Sequence, residues 1–232
     1  MVCKLCKQDK ELQESHIIPK FIYKPLRDDK NRIQRLSIIE HENKKYKKLK
    51  PIQDGLKERL LCFDCEQLLN NKYEKYFKTA WFDENKCSVP ISDEGVTVTG
   101  LDYLKFKLFH LSVLFRASVS SLPEFKDVNL GKHDDVLRDI LLNEEYLPET
   151  KYPIVCHAIS KSENEVQFGL VTSPFKLRQP NGYNSYGFCF AGCVWYYIVD
   201  GRETSCFSDF MLRSNGELNI PGMPWDDFIN KH

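Results

Sequence analysis

No stretch of these 232 residues stays apolar for the roughly 20 positions that a helix needs to cross a bilayer. The first ten residues, MVCKLCKQDK, lack the apolar run of a secretory signal. Both absences argue against a membrane protein and point to the cytoplasm. There is no internal repeat and no low-complexity tract. Net charge is missing too, since 33 Lys and Arg face 33 Asp and Glu. Nine cysteines cannot all pair with one another. An odd count without an export signal speaks against a secreted disulfide scaffold and for thiols that are free or on metal. What is present is 42% hydrophobic and 12% aromatic residues. That supply excludes disorder and can fill the core of one large domain or two small ones.

The zero charge conceals a division. Residues 1–82 carry 19 Lys and Arg against 12 Asp and Glu, and residues 83–232 carry 14 against 21. A balance of +7 beside −7 predicts two units, 1–82 and 101–232, joined by a linker at 83–100 that mixes Pro, Gly and β-branched residues. The basic unit is the one suited to phosphate. A solvated lysine surface is the other reading of the same excess.

Along the chain, CKLCKQDK is too short and polar for a regular element and predicts a tight knuckle. LQESHIIPKFIYKPL predicts a short strand and then a helical turn, with Pro19 at the change. Residues 33–52 alternate short apolar and charged stretches and suit an exposed hairpin turning near Glu42 to Lys44. CEQLLNNKYEKYFKTAWF predicts a helix that buries Leu68, Leu69, Tyr73, Tyr76 and Phe77. Past the linker, Leu104, Leu108, Leu111 and Phe115 mark a core helix, and HDDVLRDILLNEE an amphipathic one. YPIVCHAI, EVQFGLVT and YGFCFAGCVWYYIVD are three strand candidates. The fold class expected is α+β, with the second unit placing helices first and an antiparallel sheet after them.

The cysteines at positions 3, 6, 62 and 65 form two C-x2-C turns with 55 residues between them. Each such turn folds two sulfurs inward, and two turns supply the closed tetrathiolate of a structural Zn2+ site, here Cys3, Cys6, Cys62 and Cys65. Thioredoxin-like redox use needs a C-x-x-C between a strand and a helix, a place that Cys3 cannot occupy. Cys87, Cys156, Cys189, Cys193 and Cys206 lack ligand spacing, and those inside apolar strands are expected as small core residues.

Between the pairs stands E-S-H-I-I-P with His16, and Glu66 follows the last cysteine with Asn70 one helical turn on. On these motifs residues 1–78 resemble the HNH endonucleases, whose ββα-metal fold often carries two C-x2-C zinc pairs around a D-H-I-x-P strand and a C-x2-C-N helix. The resemblance implies an N-terminal ββα-metal domain in which His16 is the general base. Ser15 then matches the preceding carboxylate, and Glu66 the Asn or His after the last cysteine. Imidazole suits the task, being neutral yet able to accept a proton near neutral pH. A second cation, Mg2+ or Mn2+, is implied on the scissile phosphate. Ser15 departs from the family's anionic ligand, and the family's middle asparagine falls near Lys57 or Glu58. Glu66, with Asn70 or Glu74 on the same helical face, restores oxygen ligands.

The resemblance further implies nucleic acid as substrate, DNA before RNA, and an antiviral-defence or toxin effector. The second unit would sense a trigger, restrain the nuclease, or bind a protein partner or a second copy. The other reading, which the Ser15 and Lys57 departures suggest, is a degenerate zinc-stabilised module that binds nucleic acid or protein without cutting. In that case His16 is a hydrogen-bonded core histidine and Glu66 a helix-start carboxylate. Lys20, Lys24, Arg27, Arg32, Arg35, Lys44, Lys45, Lys47 and Lys48 are candidates to track a phosphate backbone, with Tyr23 and Tyr46 for stacking. Arg116 sits in an apolar helix, where a guanidinium requires a partner carboxylate or carbonyls; a structural ion pair is the first reading and an anion-binding role the second. Trp195, Tyr196 and Tyr197 are expected to pack in a sheet.

Overall fold

The computed structural model describes residues 1–40, 45–83, 95–162, 165–178, 182–200 and 209–231. Strand β1 (Leu12–His16) pairs antiparallel with β4 (Lys57–Cys62), which sets Leu12 opposite Cys62 and His16 opposite Lys57. Pro19 ends the extended run, and a 3-10 helix follows at Lys20–Leu26, burying Ile22 and Tyr23. The hairpin of β2 (Ile33–Glu40) and β3 (Lys45–Ile52) projects between the two paired strands in sequence; its turn lies outside the described residues.

β4 runs directly into a helix of four pieces: α1 (Phe63–Leu69), a π turn (Asn70–Glu74), α2 (Lys75–Lys78) and a second π turn (Thr79–Asp83). The π turns have a purpose in packing. Leu69, Tyr73, Phe77 and Trp81 recur every four residues, a spacing that drifts around an α-helix of 3.6 residues per turn. Wider i→i+5 turns hold all four on the buried side. Leu68 and Tyr76, expected among them, are only half-buried.

The aromatics of this helix enter the core of the following segment. Phe77 stacks on Phe109 at 3.8 Å between ring centroids, and Trp81 meets Trp195 edge-on at 5.1 Å. One continuous buried cluster runs from Cys3 to Ile220. At its centre is α3 (Tyr103–Val119), capped by Asp102, whose side chain accepts from the Lys105 N–H at 3.0 Å. Every residue from Phe106 to Ala117 on α3 is buried. α4 (His133–Asn143) packs beside it through Leu137, Ile140 and Leu141. Of the expected linker, residues 84–94 lie outside the described residues, and β5 (Val96–Val98) pairs with β11 (Leu218–Ile220).

The sheet corrects three expectations. YGFCFAGCVWYYIVD is a hairpin and not one strand: β9 (Asn184–Phe190) turns at Ala191-Gly192 into β10 (Cys193–Val199). Both turn residues have positive φ, 53° and 82°, as a type I′ turn requires. EVQFGLVT pairs only as β7 (Glu165–Val166), on the edge of β6 (Ile154–Ser162), and leaves the ladder after Val166. Nor is the sheet wholly antiparallel, since β12 (Gly222–Pro224) runs parallel to β6. The main order is β12-β6-β10-β9-β8, with β8 at Phe175–Arg178. Cys193, Trp195 and Tyr197 face the α3 core, while Val194 and Cys189 face a smaller cluster closed by Phe228 of α5 (Trp225–Lys231). Cys156, Cys189 and Cys193 are core residues as expected, and Cys87 and Cys206 lie outside the described residues. The fold class is mixed α+β, and no helix among the described residues is long and apolar enough to cross a membrane.

Candidate functional site

The knuckle before β1 closes on itself: the Cys3 N–H donates to Gln8 O at 2.9 Å and the Lys7 N–H to Cys3 O at 3.0 Å. Because β1 and β4 align Leu12 with Cys62, this knuckle lies against the start of α1, where the second pair sits. The Sγ atoms of Cys3, Cys6, Cys62 and Cys65 all fall within 4.8 Å of one another. A tetrahedron with metal–sulfur bonds of about 2.3 Å has edges of about 3.8 Å. The Cys6–Cys62 separation is 3.8 Å, far beyond the roughly 2.05 Å of a disulfide. All four thiols are free. Burial pushes the Cys3 thiol up, but backbone N–H groups of Cys6, Cys62 and Leu5 hold it below its ordinary value. Burial and the neighbouring thiols raise Cys65. The donor set of the cluster suits a metal ion such as zinc.

A second group of residues meets beside this centre. His16 closes β1, while Glu66, Asn70 and Glu74 stand every fourth residue along the helix, the spacing that the π turn keeps on one side. These four residues, with Lys20 and Arg116, line a cleft of about 210 Å³. Two buried atoms of the expected site have no hydrogen-bond partner among the described residues: Nε2 of His16 and Oε1 of Glu66. Burial lowers the His16 pKa, Asp54 pulls it back up, and Lys57, Lys20 and Arg116 push it down again. The net value is below the ordinary one, so the imidazole is neutral at neutral pH. Burial raises the Glu66 carboxyl, against the pull of Arg116 and a hydrogen bond from Ser15.

No family model, curated protein or solved structure matches this chain.

Three of the four residues expected at the catalytic centre line the cleft; Ser15 does not. It is fully buried, its hydroxyl accepts from the Leu61 N–H at 3.2 Å, and it hydrogen-bonds the Glu66 carboxyl. Lys57 pairs with Glu14 at 2.6 Å, and Glu58 accepts from Ser120 and Ser121 at the end of α3. Neither position turns to the cleft. Of the phosphate-tracking candidates, Lys20 lines the cleft although it contacts Asp54 at 3.1 Å. Arg27 is bound to Asp54 and Asn31, Arg32 to Asp28, and Arg35 to Glu124 at 2.5 Å. Lys24, Lys47, Lys48 and Tyr46 are exposed, while Tyr23 is buried. Lys44 and the side chain of Lys45 lie outside the described residues.

Arg116, expected first as an ion pair and only second as an anion site, lines the cleft together with Gln67. The signal was present, since a guanidinium in an apolar helix demands partners. They are Glu74 and the His16 carbonyl, each 2.7 Å from Nη1. A wider recess of about 540 Å³ lies on another side of the helix. Its Lys72, Lys75 and Lys105 are engaged by Glu144, Asn71 and Asp102, which leaves it no reactive group.

Proposed function

We propose that the chain is a metal-dependent endonuclease of HNH type, with Zn2+ on the four cysteines and a phosphodiester of nucleic acid, DNA in the first instance, in the cleft. The observation that carries the proposal is the pair of buried, unpartnered atoms on two residues that line the cleft, His16 Nε2 and Glu66 Oε1. An unmet buried polar atom costs about 1–3 kcal/mol, and two of them beside an open volume mark a place that a ligand completes. The β1–β4 pair followed at once by α1 matches the order of the family that the motifs resemble.

In this reading Glu66 and Asn70 hold Mg2+ or Mn2+; hard oxygen donors, one of them an orphaned carboxylate oxygen, fit such an ion. When bound, the ion supplies charge stabilisation to the phosphate. His16 Nε2 takes a proton from the attacking water, which it can do because burial keeps the ring neutral. The backbone of His16, held by Arg116, fixes where that nitrogen points. Ser15 orients Glu66. The helix binds both metals, one at its first turn and one along its side.

A plasmid-nicking assay with the zinc-loaded chain and Mg2+ or Mn2+ tests the proposal. His16→Ala should lower nicking by about 10²-fold or more, the range a general base contributes. Unchanged nicking in that variant overturns the assignment. The second reading, a binding module that does not cut, draws on the burial of Ser15, which leaves the cleft one carboxylate short of the family pattern. Duplex binding that survives His16→Ala, with no nicking by the wild type at any metal concentration, would favour it.

A further inference from the structure

The cleft holds a cation with one nitrogen, Nη2, that the proposed reaction leaves unused. Arg116 belongs to α3, far outside the zinc-bound segment in sequence, and is 1% exposed. Nε donates to Ser112 O at 3.3 Å, and Nη1 donates to His16 O and to Glu74 Oε1 at 2.7 Å each. Nη2 is buried and has no partner among the described residues, although the residue lines the cleft. A guanidinium carries five N–H donors in a rigid plane, and burying one unmet is costly.

An acceptor is close by in the same cleft. Glu66 Oε1 is itself unpartnered, and Arg116 acts on the Glu66 carboxyl through space. The donor and the acceptor nevertheless make no bond with each other. A ligand that offers an oxygen to Arg116 and a cation or proton to Glu66 would satisfy both atoms. A phosphate that carries a divalent ion does both. Arg is the side chain best matched to phosphate oxygens, through parallel N–H donors that Lys cannot present. Lys20, which pairs with Asp54 at 3.1 Å, is a second cation lining the cleft.

We infer that Arg116 is the phosphate anchor of the cleft, with Nη2 donating to a non-bridging oxygen while Nη1 stays on Glu74 and His16. The assignment deepens the nuclease reading and rests on it for the nature of the phosphate as a diester. It also makes the site composite: α3, the central helix of the large core, supplies a substrate contact to a cleft otherwise built by β1 and the zinc-bound helix. No covalent step involves Arg116. It binds and positions.

The test is a titration of the full zinc-loaded chain, free of Mg2+ and Mn2+, with inorganic phosphate and then dimethyl phosphate. It is followed through the NMR signals of the His16 ring and the Arg116 guanidinium. Wild type should show saturable shifts of both residues with each probe. Arg116→Lys, which keeps the charge and loses the fork, should weaken binding at least about tenfold, and Arg116→Gln should abolish it. Glu74→Gln removes the competing carboxylate and should tighten binding several-fold. It leaves the guanidinium in place, so it decides the matter should Arg116→Gln fail to fold. Affinities unchanged in Arg116→Lys and Glu74→Gln overturn the inference, as does the absence of any shift in wild type. In nicking assays Arg116→Lys should raise KM more than it lowers kcat; a purely structural arginine would lower stability and leave phosphate affinity and KM alone. Arg116-dependent phosphate binding in a chain that never nicks would refute the nuclease reading and keep the anchor. Nicking with an unchanged KM in Arg116→Lys would do the reverse.

Discussion

The indole N–H of Trp81 donates to the carbonyl of Ala191 at 3.0 Å, tying the far end of the helix that starts at the cysteine cluster to the tip of the β9–β10 hairpin. Both residues are buried, and the ring also stacks on Phe77 at 5.7 Å. Trp81→Phe keeps an aromatic but leaves the Ala191 oxygen unmet and opens space around the smaller ring. The expected loss is at least about 2 kcal/mol in urea unfolding. Because this link joins the metal-bound segment to the sheet, zinc release and loss of near-ultraviolet dichroism should fall in one transition. Two transitions separated in urea would show that the segments melt independently.

Metal removal should be felt by the whole fold. Elemental analysis should find one zinc per chain, and Cys62→Ser, which breaks the tetrahedron at the first residue before α1, should lose it. Structural zinc sites contribute folding free energy outright. If chelation costs about 5 kcal/mol, the midpoint of thermal unfolding falls by about 10–20 °C for a chain of this length. All four thiols of the cluster should react with a thiol reagent only after chelation. A chain that purifies without metal, with the same midpoint as after zinc addition, would remove the tetrathiolate from the account.

Much of this was legible from spacing. The cysteine quartet, the strand ending at His16, the break at Pro19 and the helix after Cys65 are local signals, and each is where the sequence places it. The carboxylate and amide at Glu66 and Asn70 follow from helical periodicity, although the π turns that hold Glu74 in line left no mark that a 3.6-residue period detects. The β9–β10 turn was hidden because Ala191 is not a residue that advertises positive φ; only Gly192 is, and its Cβ would lie 2.5 Å from Val166 Cγ1. Strands as short as Leu218–Ile220 and Gly222–Pro224 exist through pairing with distant partners, which no local pattern encodes. For the same reason Arg116 could be seen to need a partner but not which one.

Lys107 gives the fold a pH dependence with a definite sign. It is 3% exposed on α3, with its ammonium on Tyr103 Oη and Pro148 O at 2.8 Å each. Burial lowers its pKa from 10.5 to about 7, against a smaller upward pull from Glu149. Between about pH 7 and 10.5 the unfolded chain binds this proton and the folded chain does not, so the Lys107 contribution to stability rises with pH across that window. Below pH 7 the full penalty of a buried ammonium applies. Lys107→Met fills similar volume without charge and should stabilise the protein at pH 6 and flatten its stability between pH 7 and 10. A variant less stable than wild type at pH 6, with the pH slope intact, would mean that the two hydrogen bonds outweigh the burial of the charge.

Ser15 separates a ligand from a support. A metal ligand at this position would make Ser15→Ala harmful only where the ion is bound. The observed hydroxyl instead accepts from Leu61 N–H within the β1–β4 pair and hydrogen-bonds the Glu66 carboxylate. Removing it leaves the buried Leu61 N–H without its side-chain acceptor and frees Glu66 to turn. Ser15→Ala should therefore cost about 1–3 kcal/mol in urea unfolding of the zinc-loaded chain, by the same amount with Mg2+ present or absent. Ser15→Asp, which restores the family's carboxylate in sequence, should cost more, since it buries a second anion beside Glu66 in a place without room for hydration. A loss of stability in Ser15→Ala that appears only with Mg2+ would return this residue to the metal.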